Sequence, residues 1–385
     1  MKFRWILWVL KAILTLVIAA ASLFVMIFPL ATLVLGDSGT DTSELGASVD
    51  AAIVSRYDMF INNRFASALE GVLAVDKVYW LSDHDIVAPK PNQANYSTCS
   101  TSEELAAFLK KAEKVLDGQK TLITPMTPLV PGTSAMCYLD ETIMAVTWKQ
   151  IIDGGIYTIS EVKIAHPSQF RRFLSGGSYG SGIQLTTSDM AASVNAVVAS
   201  SGDFYAFRPL GVTVYEGIVR RGSDNDVDTC YIDDKGDLLF SYRGQFATNE
   251  EIQKFVDDNH IRFSLSFGPV LVQDGKEVPL PELYAIGEIN DTYARAALAQ
   301  MDELHYLTLT ANAEYGYRSV PTIRRLQVQL MNFGVKHGYT LDGGQTAVVV
   351  MNNKVINRVV YNAQRKVSDI IYFATAMPET GSGGQ

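Results

Sequence analysis

The sequence predicts an α+β protein: a strand-rich mixed sheet core with short helices, preceded by a transmembrane helix and a small helical region. Three observations carry this. Residues 12–35 contain no charged side chain. One strongly amphipathic helical pattern, TSEELAAFLKKAEKVLDG, fills 101–118. From about residue 138 the chain turns to short alternating or continuously apolar stretches broken by glycine turns, with no internal repeat.

In chain order, the run AILTLVIAAASLFVMIFPLATLVL (12–35) is long enough for a bilayer core, which needs about 20 residues. Lys2, Arg4 and Lys11 precede it and Asp37 and Asp41 follow it, so the bulk of the chain is expected outside the cell membrane, anchored by a single pass. The run is longer than the apolar part of a cleaved signal peptide, and LVLGDSG is a poor cleavage site. A linker and helical region is expected over 37–137. Within it, Thr101 and Glu104 have capping-box spacing, Leu105, Phe108, Leu109, Ala112, Val115 and Leu116 share one face, and Gly118 stops the helix. Residues 83–101 read as a loop, and the Pro- and Thr-rich 121–136 as a boundary. The main domain is expected over 138–375, ahead of a flexible tail at 376–385.

Inside that domain YTISEVKIA (157–165) alternates as a strand, and VNAVVAS (194–200) reads as a buried strand. GVTVYEGIVRRG, TCYIDDKGDLLFSYRG and IRFSLSFGPVLVQDGKEV read as hairpins or paired strands. TNEEIQKFVDDN is a short capped helix, HYLTLTA a strand, and TIRRLQVQLMNFGVKHG a helix ending near Gly334. YTL and TAVVVMNNKVINRVV are strands, the second bent at Asn352-Asn353.

Composition narrows the functions. The 385 residues are 48% hydrophobic and 19% charged, ordinary for a globular chain with a sizeable core. A net charge of −9, with basic residues only in short pairs such as Arg171-Arg172, argues against a nucleic-acid partner. The three cysteines, Cys99, Cys137 and Cys230, lack metal-ligand spacing, and SDHD (82–85) reads as a polar turn, so neither metal nor cofactor is expected. Cys99 and Cys137 could pair if exported, or all three could be buried thiols.

Several polar residues follow strands. Asp203 comes after Gly202 just beyond a buried stretch, and Arg208 lies five residues on in SSGDFYAFR. Arg295 interrupts an apolar run of small residues, and Asp342 precedes Gly343 and Gly344 in LDGGQTA. Carboxylates serve acid/base chemistry on a glycosidic or phosphoryl leaving group, arginines hold phosphate, and glycines admit close backbone approach.

Over 149–373 the ordered motifs ASSGDFYAFR, FGPVLV, TYARAALA, LDGGQTA and RKVSDIIYF resemble those of the phosphodiester glycosidase family, above all membrane-anchored Gram-positive members labelled exopolysaccharide-biosynthesis proteins. The resemblance implies hydrolysis of a sugar-1-phosphodiester in a phosphorylated glycan. Asp203 and Asp342 stand as candidate catalytic carboxylates. Gly202, Arg208, Arg295, Gly343, Gly344 and Glu314 stand as candidate substrate-binding positions. Departures are concentrated in the polar motifs. Ser201 stands for the family asparagine, Asn312, Ala313 and Glu314 for Asp-Gly-Arg, and Gln345, Thr346 and Ala347 for Gly-Ser-Ser. Glu314 therefore reverses a charge where substrate would bind. A second expectation stays open beside the hydrolase: a degenerate member acting as a glycan-binding or structural envelope module.

Overall fold

The computed structural model describes residues 87–222, 227–285 and 287–377. The expected membrane span at 12–35, the linker up to residue 86 and the tail from 378 lie outside the described residues.

The strands are, in chain order, β1 (Tyr96–Cys99), β2 (Ala135–Leu139), β3 (Ile143–Ile152), β4 (Gly155–Ile164), β5 (Phe170–Leu174), β6 (Val198–Ser201) and β7 (Thr213–Tyr215). There follow β8 (Ile218–Arg221), β9 (Thr229–Asp233), β10 (Leu238–Ser241), β11 (Ile261–Leu265), β12 (Val270–Gln273), β13 (Lys276–Glu277), β14 (Leu283–Tyr284) and β15 (Gly287–Glu288). The last are β16 (Arg295–Asp302), β17 (His305–Asn312), β18 (His337–Leu341), β19 (Val349–Met351), β20 (Lys354–Val355) and β21 (Asp369–Phe373). The α-helices are α1 (Ser102–Leu116), α2 (Thr187–Ser193), α3 (Asn249–Asp258) and α4 (Ile323–Asn332).

The largest sheet has nine strands in the order β1-β2-β3-β4-β17-β16-β18-β12-β13. Two five-stranded sheets, β10-β9-β11-β7-β8 and β20-β19-β6-β21-β5, complete the core with the small β14-β15 ribbon. This is a strand-rich α+β architecture with short helices, as expected. The large sheet is buried on both faces. Along β16, Ala297 and Ala299 pack with α1 and α4 residues such as Phe108, Leu326 and Leu330, while Ala296 and Leu298 face Phe263, Leu265 and Ile371 of the smaller sheets. Two-sided burial explains why this strand reads as continuously apolar rather than alternating. α2 covers the far side of the β6-β21 sheet with Met190 and Ala191, and α3 covers that of the β9-β11 sheet with Ile252 and Val256.

Local signals place the helices. Thr101 and Glu104 form the reciprocal capping box of α1, whose buried face includes Leu105, Phe108, Ala112 and Val115. Thr248 and Thr322 cap α3 and α4 through Glu251 N and Arg325 N. At the Asn352-Asn353 bend both residues are left-handed (φ 50° and 56°), which closes β19 onto β20 as a tight hairpin.

The structure differs from expectation at four places. β6 begins only at Val198, within the expected strand 194–200, whose first residue, Val194, is instead the C-cap of the short helix α2. β11 and β12 do not pair with each other: they enter different sheets on either side of Gly268-Pro269. Residues 96–99, inside the expected loop, form an edge strand. β1 and β2 lie before residue 138 yet join the sheet that holds β3 and β4, so this sheet runs across the expected break at 137/138.

Candidate functional site

Strand register brings distant residues together. In the β16–β18 pair Ala296 lies opposite Leu341, so the next step outward sets Arg295 beside Asp342. In the β6–β21 pair Ser201 lies opposite Ile370, so the loop leaving β6 and the loop entering β21 emerge at one edge. These ends enclose a pocket of about 160 Å³ lined by Arg208, Arg295, Asp342, Gly343 and Arg365, with aromatic walls that include Phe204, Phe207 and Phe267. Tyr293, 54% exposed, stands at its rim.

The pocket's charges are three guanidiniums and one carboxylate. Arg208 donates to the Ala285 carbonyl at 3.3 Å, and Arg295 donates to the Asp291 carbonyl at 2.7 Å. The Arg295 Nε is buried with no hydrogen-bond partner, a donor left for something else. The Asp342 carboxyl is pushed up to about 6, chiefly by burial, against the opposing pull of a Thr346 hydrogen bond and the Arg365 charge. A carboxyl titrating there is a competent proton acceptor or donor near neutral pH.

The glycine pair answers to the protein's own backbone. A side chain at Gly343 would run into the Ala294 carbonyl, and Gly344, at φ +68°, lies under the Tyr293 ring and donates its N–H to that carbonyl at 2.8 Å. The close approach thus locks the Asp342 turn onto the start of β16, and Gly343 also lines the pocket.

The other expected site residues lie elsewhere. Asp203 is fully buried beneath the pocket. Its Oδ1 is 2.9 Å from Arg172 Nη2 and accepts from Tyr205 N at 2.8 Å, and its Oδ2 accepts from Ser266 N at 2.8 Å. Arg172 also donates through Nε to Asp369 at 2.7 Å. Gly202 is needed because a side chain there would strike the Asp369 carboxylate. Burial pushes the Asp369 carboxyl up, against the Arg172 charge that favours its ionised form. Glu314 is likewise buried and outside the pocket lining, paired with Lys149 at 2.8 Å, while Tyr315 takes the same ammonium at 3.1 Å and 4.7 Å from its ring centre. The neighbouring departures are also committed internally: Ser201 donates to the Thr346 carbonyl and Asn312 to that of Arg358.

So Arg208, Arg295, Asp342 and Gly343 converge, whereas Asp203, Gly202 and Glu314 serve the scaffold around them. Arg365, Phe204, Phe207, Phe267 and Tyr293 were missed as site residues. In the sequence they are marked only by membership of the motifs ASSGDFYAFR, FGPVLV, TYARAALA and RKVSDIIYF. Among the described residues no cluster of His, Cys, Asp and Glu is arranged to hold a metal.

Residues 194–374 match the family model of phosphodiester glycosidases, and that stretch supplies every residue of the pocket. This region is a phosphodiester glycosidase domain. As such it is the domain of a glycosidase-type hydrolase. The catalytic domain of zebrafish N-acetylglucosamine-1-phosphodiester alpha-N-acetylglucosaminidase, auto-inhibited by its pro-peptide, is similar at 16% identity and TM-score 0.48, with 76% of this chain and 99% of that one covered. A hypothetical protein from Synechocystis is similar at 13% identity and TM-score 0.44, covering 63% of this chain and 64% of that one. No curated protein matches the chain significantly.

Proposed function

We propose that the protein hydrolyses sugar-1-phosphodiester linkages in envelope or exopolysaccharide glycans, from the outer side of a membrane to which residues 12–35 tether it. The observation that carries the reading is the pocket itself: Asp342, titrating at about 6, beside the guanidiniums of Arg208 and Arg295. The arginines hold the phosphodiester anion. Asp342 accepts a proton from a water as that water's oxygen bonds to the sugar C1. The C1–O bond breaks with its electron pair going to the phosphate oxygen, and the arginines take up the charge of the departing phosphomonoester. Such a leaving group needs no protonation, so one pocket carboxylate suffices.

The same single carboxylate favours the second reading, a glycan-binding module without turnover, because glycosidases ordinarily deploy two carboxyl groups across the bond. The test is incubation of the full chain, in detergent, with a sugar-1-phosphodiester reporter in ¹⁸O-water. The hydrolase releases free sugar carrying the label, and Asp342→Asn abolishes release. Binding of the reporter with no release above a buffer control would leave the binding module.

A further inference from the structure

Arg365 has no assigned role, and its surroundings give it one. It sits on the segment entering β21, and its backbone N–H is fixed to the Gln345 carbonyl at 3.3 Å, within the turn that follows Asp342. Its guanidinium lies 4.9 Å from the centre of the Phe207 ring. Both groups line the pocket, so the ring carries the guanidinium at its wall. Among the described residues no hydrogen bond or ion pair takes up the guanidinium's donors. The side chain is exposed, so its charge costs little to keep. Arg208 and Arg295, by contrast, each spend a donor on a backbone carbonyl. Three cations against one carboxylate exceed what the pocket needs for its own balance.

We propose that Arg365 binds the phosphate of the ligand, closing an anion clamp with Arg295 from the opposite loop. This rests on the phosphate-site reading of the pocket and adds a residue to it. A guanidinium held by an aromatic face and facing a phosphate supplies two parallel N–H donors in a geometry that a lysine cannot copy. It also stands close enough to Asp342 to favour the ionised carboxylate. Arg365 is thus a binding residue that also favours the ionised form of its neighbour, against the larger effect of burial.

The probe is inorganic phosphate, titrated calorimetrically into the full chain in detergent at fixed low salt. Arg365→Gln is expected to weaken phosphate binding about tenfold or more, the loss of one charge-assisted pair. Arg365→Lys is expected to fall between, since it keeps the charge and loses the fork. Arg243→Gln, outside this pocket, should bind as the parent does. Where turnover is measurable, Arg365→Gln should move the acid limb of the rate profile upward, a readout that a purely structural residue would not change. Unaltered binding in Arg365→Gln alongside weakened binding in Arg295→Gln overturns the role of Arg365 and leaves the phosphate site standing. Binding unaltered in both variants, or no binding by the parent, overturns the site reading as well. Thermal melting checks that each variant is folded.

Discussion

Asp342 occupies the first position past β18, and its titration near 6 has two measurable consequences. In its proposed role of general base it must be ionised, so kcat/KM should rise with pH through about 6 and level off above it. The second consequence concerns stability. The folded value lies above the unfolded one, so protonation favours the fold. That stabilisation is complete below the unfolded value of about 3.9 and is lost as pH rises through the folded one. Asp342→Asn, which carries no charge to bury, should therefore be inactive yet more stable than the parent at pH 8, by roughly 2–3 kcal/mol, with the gap closing near pH 4. Melting curves at the two pH values decide it, and a gap that does not depend on pH sinks the burial argument. Gly343 makes a contrasting case. Valine there collides with the Ala294 carbonyl, so Gly343→Val should lose stability by about 1–3 kcal/mol or more besides damaging the pocket. A variant that melts like the parent and fails only in binding would show that the close approach is dispensable.

At the scale of elements, β5, β6 and β21 are joined under the pocket by one guanidinium between two carboxylates. Arg172, Asp203 and Asp369 all have fully buried side chains. The charge count makes the cluster asymmetric. Arg172→Gln leaves two carboxylates in the interior with no cation, and breaking such a pair costs roughly 3–5 kcal/mol. Its melting temperature should drop by roughly 10 °C. Asp203→Asn leaves Arg172 matched one-to-one with Asp369, so it should fold and melt within a few degrees of the parent. It should also keep most of its turnover. A stable but inactive Asp203→Asn would return Asp203 to the catalytic machinery. The same arithmetic applies to Glu314. Restoring the family's arginine there would set two cations together with Lys149, so the departure at Glu314 is balanced within this chain.

For the molecule as a whole, the edge of the large sheet carries a reporter of its compartment. In the β1–β2 pair Cys99 lies opposite Ala135 and Cys137 opposite Ser97, which puts the two sulfurs 3.5 Å apart on one face. Both are free thiols here, and Cys230 is buried elsewhere. Burial pushes all three thiols up, so none is a reactive nucleophile. In an oxidising compartment an exchange catalyst would join Cys99 to Cys137. Protein taken from the cell envelope, unfolded without reductant and alkylated, should then show one free thiol, where a cytoplasmic location would leave all three. Protease added to intact cells should remove the large domain, and full protection of it would refute the outward orientation.

The sequence by itself determined the parts whose causes are local. Thr101 with Glu104, the apolar spacing after them and the stop at Gly118 define α1 without help from the rest of the chain. The turns at Gly217 and Asn352-Asn353 define their hairpins in the same way. The ordered motifs were enough for the family, because each is a short contiguous string. What they could not separate was Asp203 from Asp342. Both are aspartates beside a glycine just past a buried strand, and nothing nearby in the chain distinguishes them. The difference comes from residues far away. Arg172 and Asp369 meet Asp203 only when β5, β6 and β21 have paired, and Arg295 meets Asp342 only when β16 and β18 have. One aspartate is neutralised and sealed into the scaffold. The other is set, partly desolvated, at the wall of a cationic pocket. Electrostatic environment is a property of neighbours in space, and strand register in two sheets decided who those neighbours are.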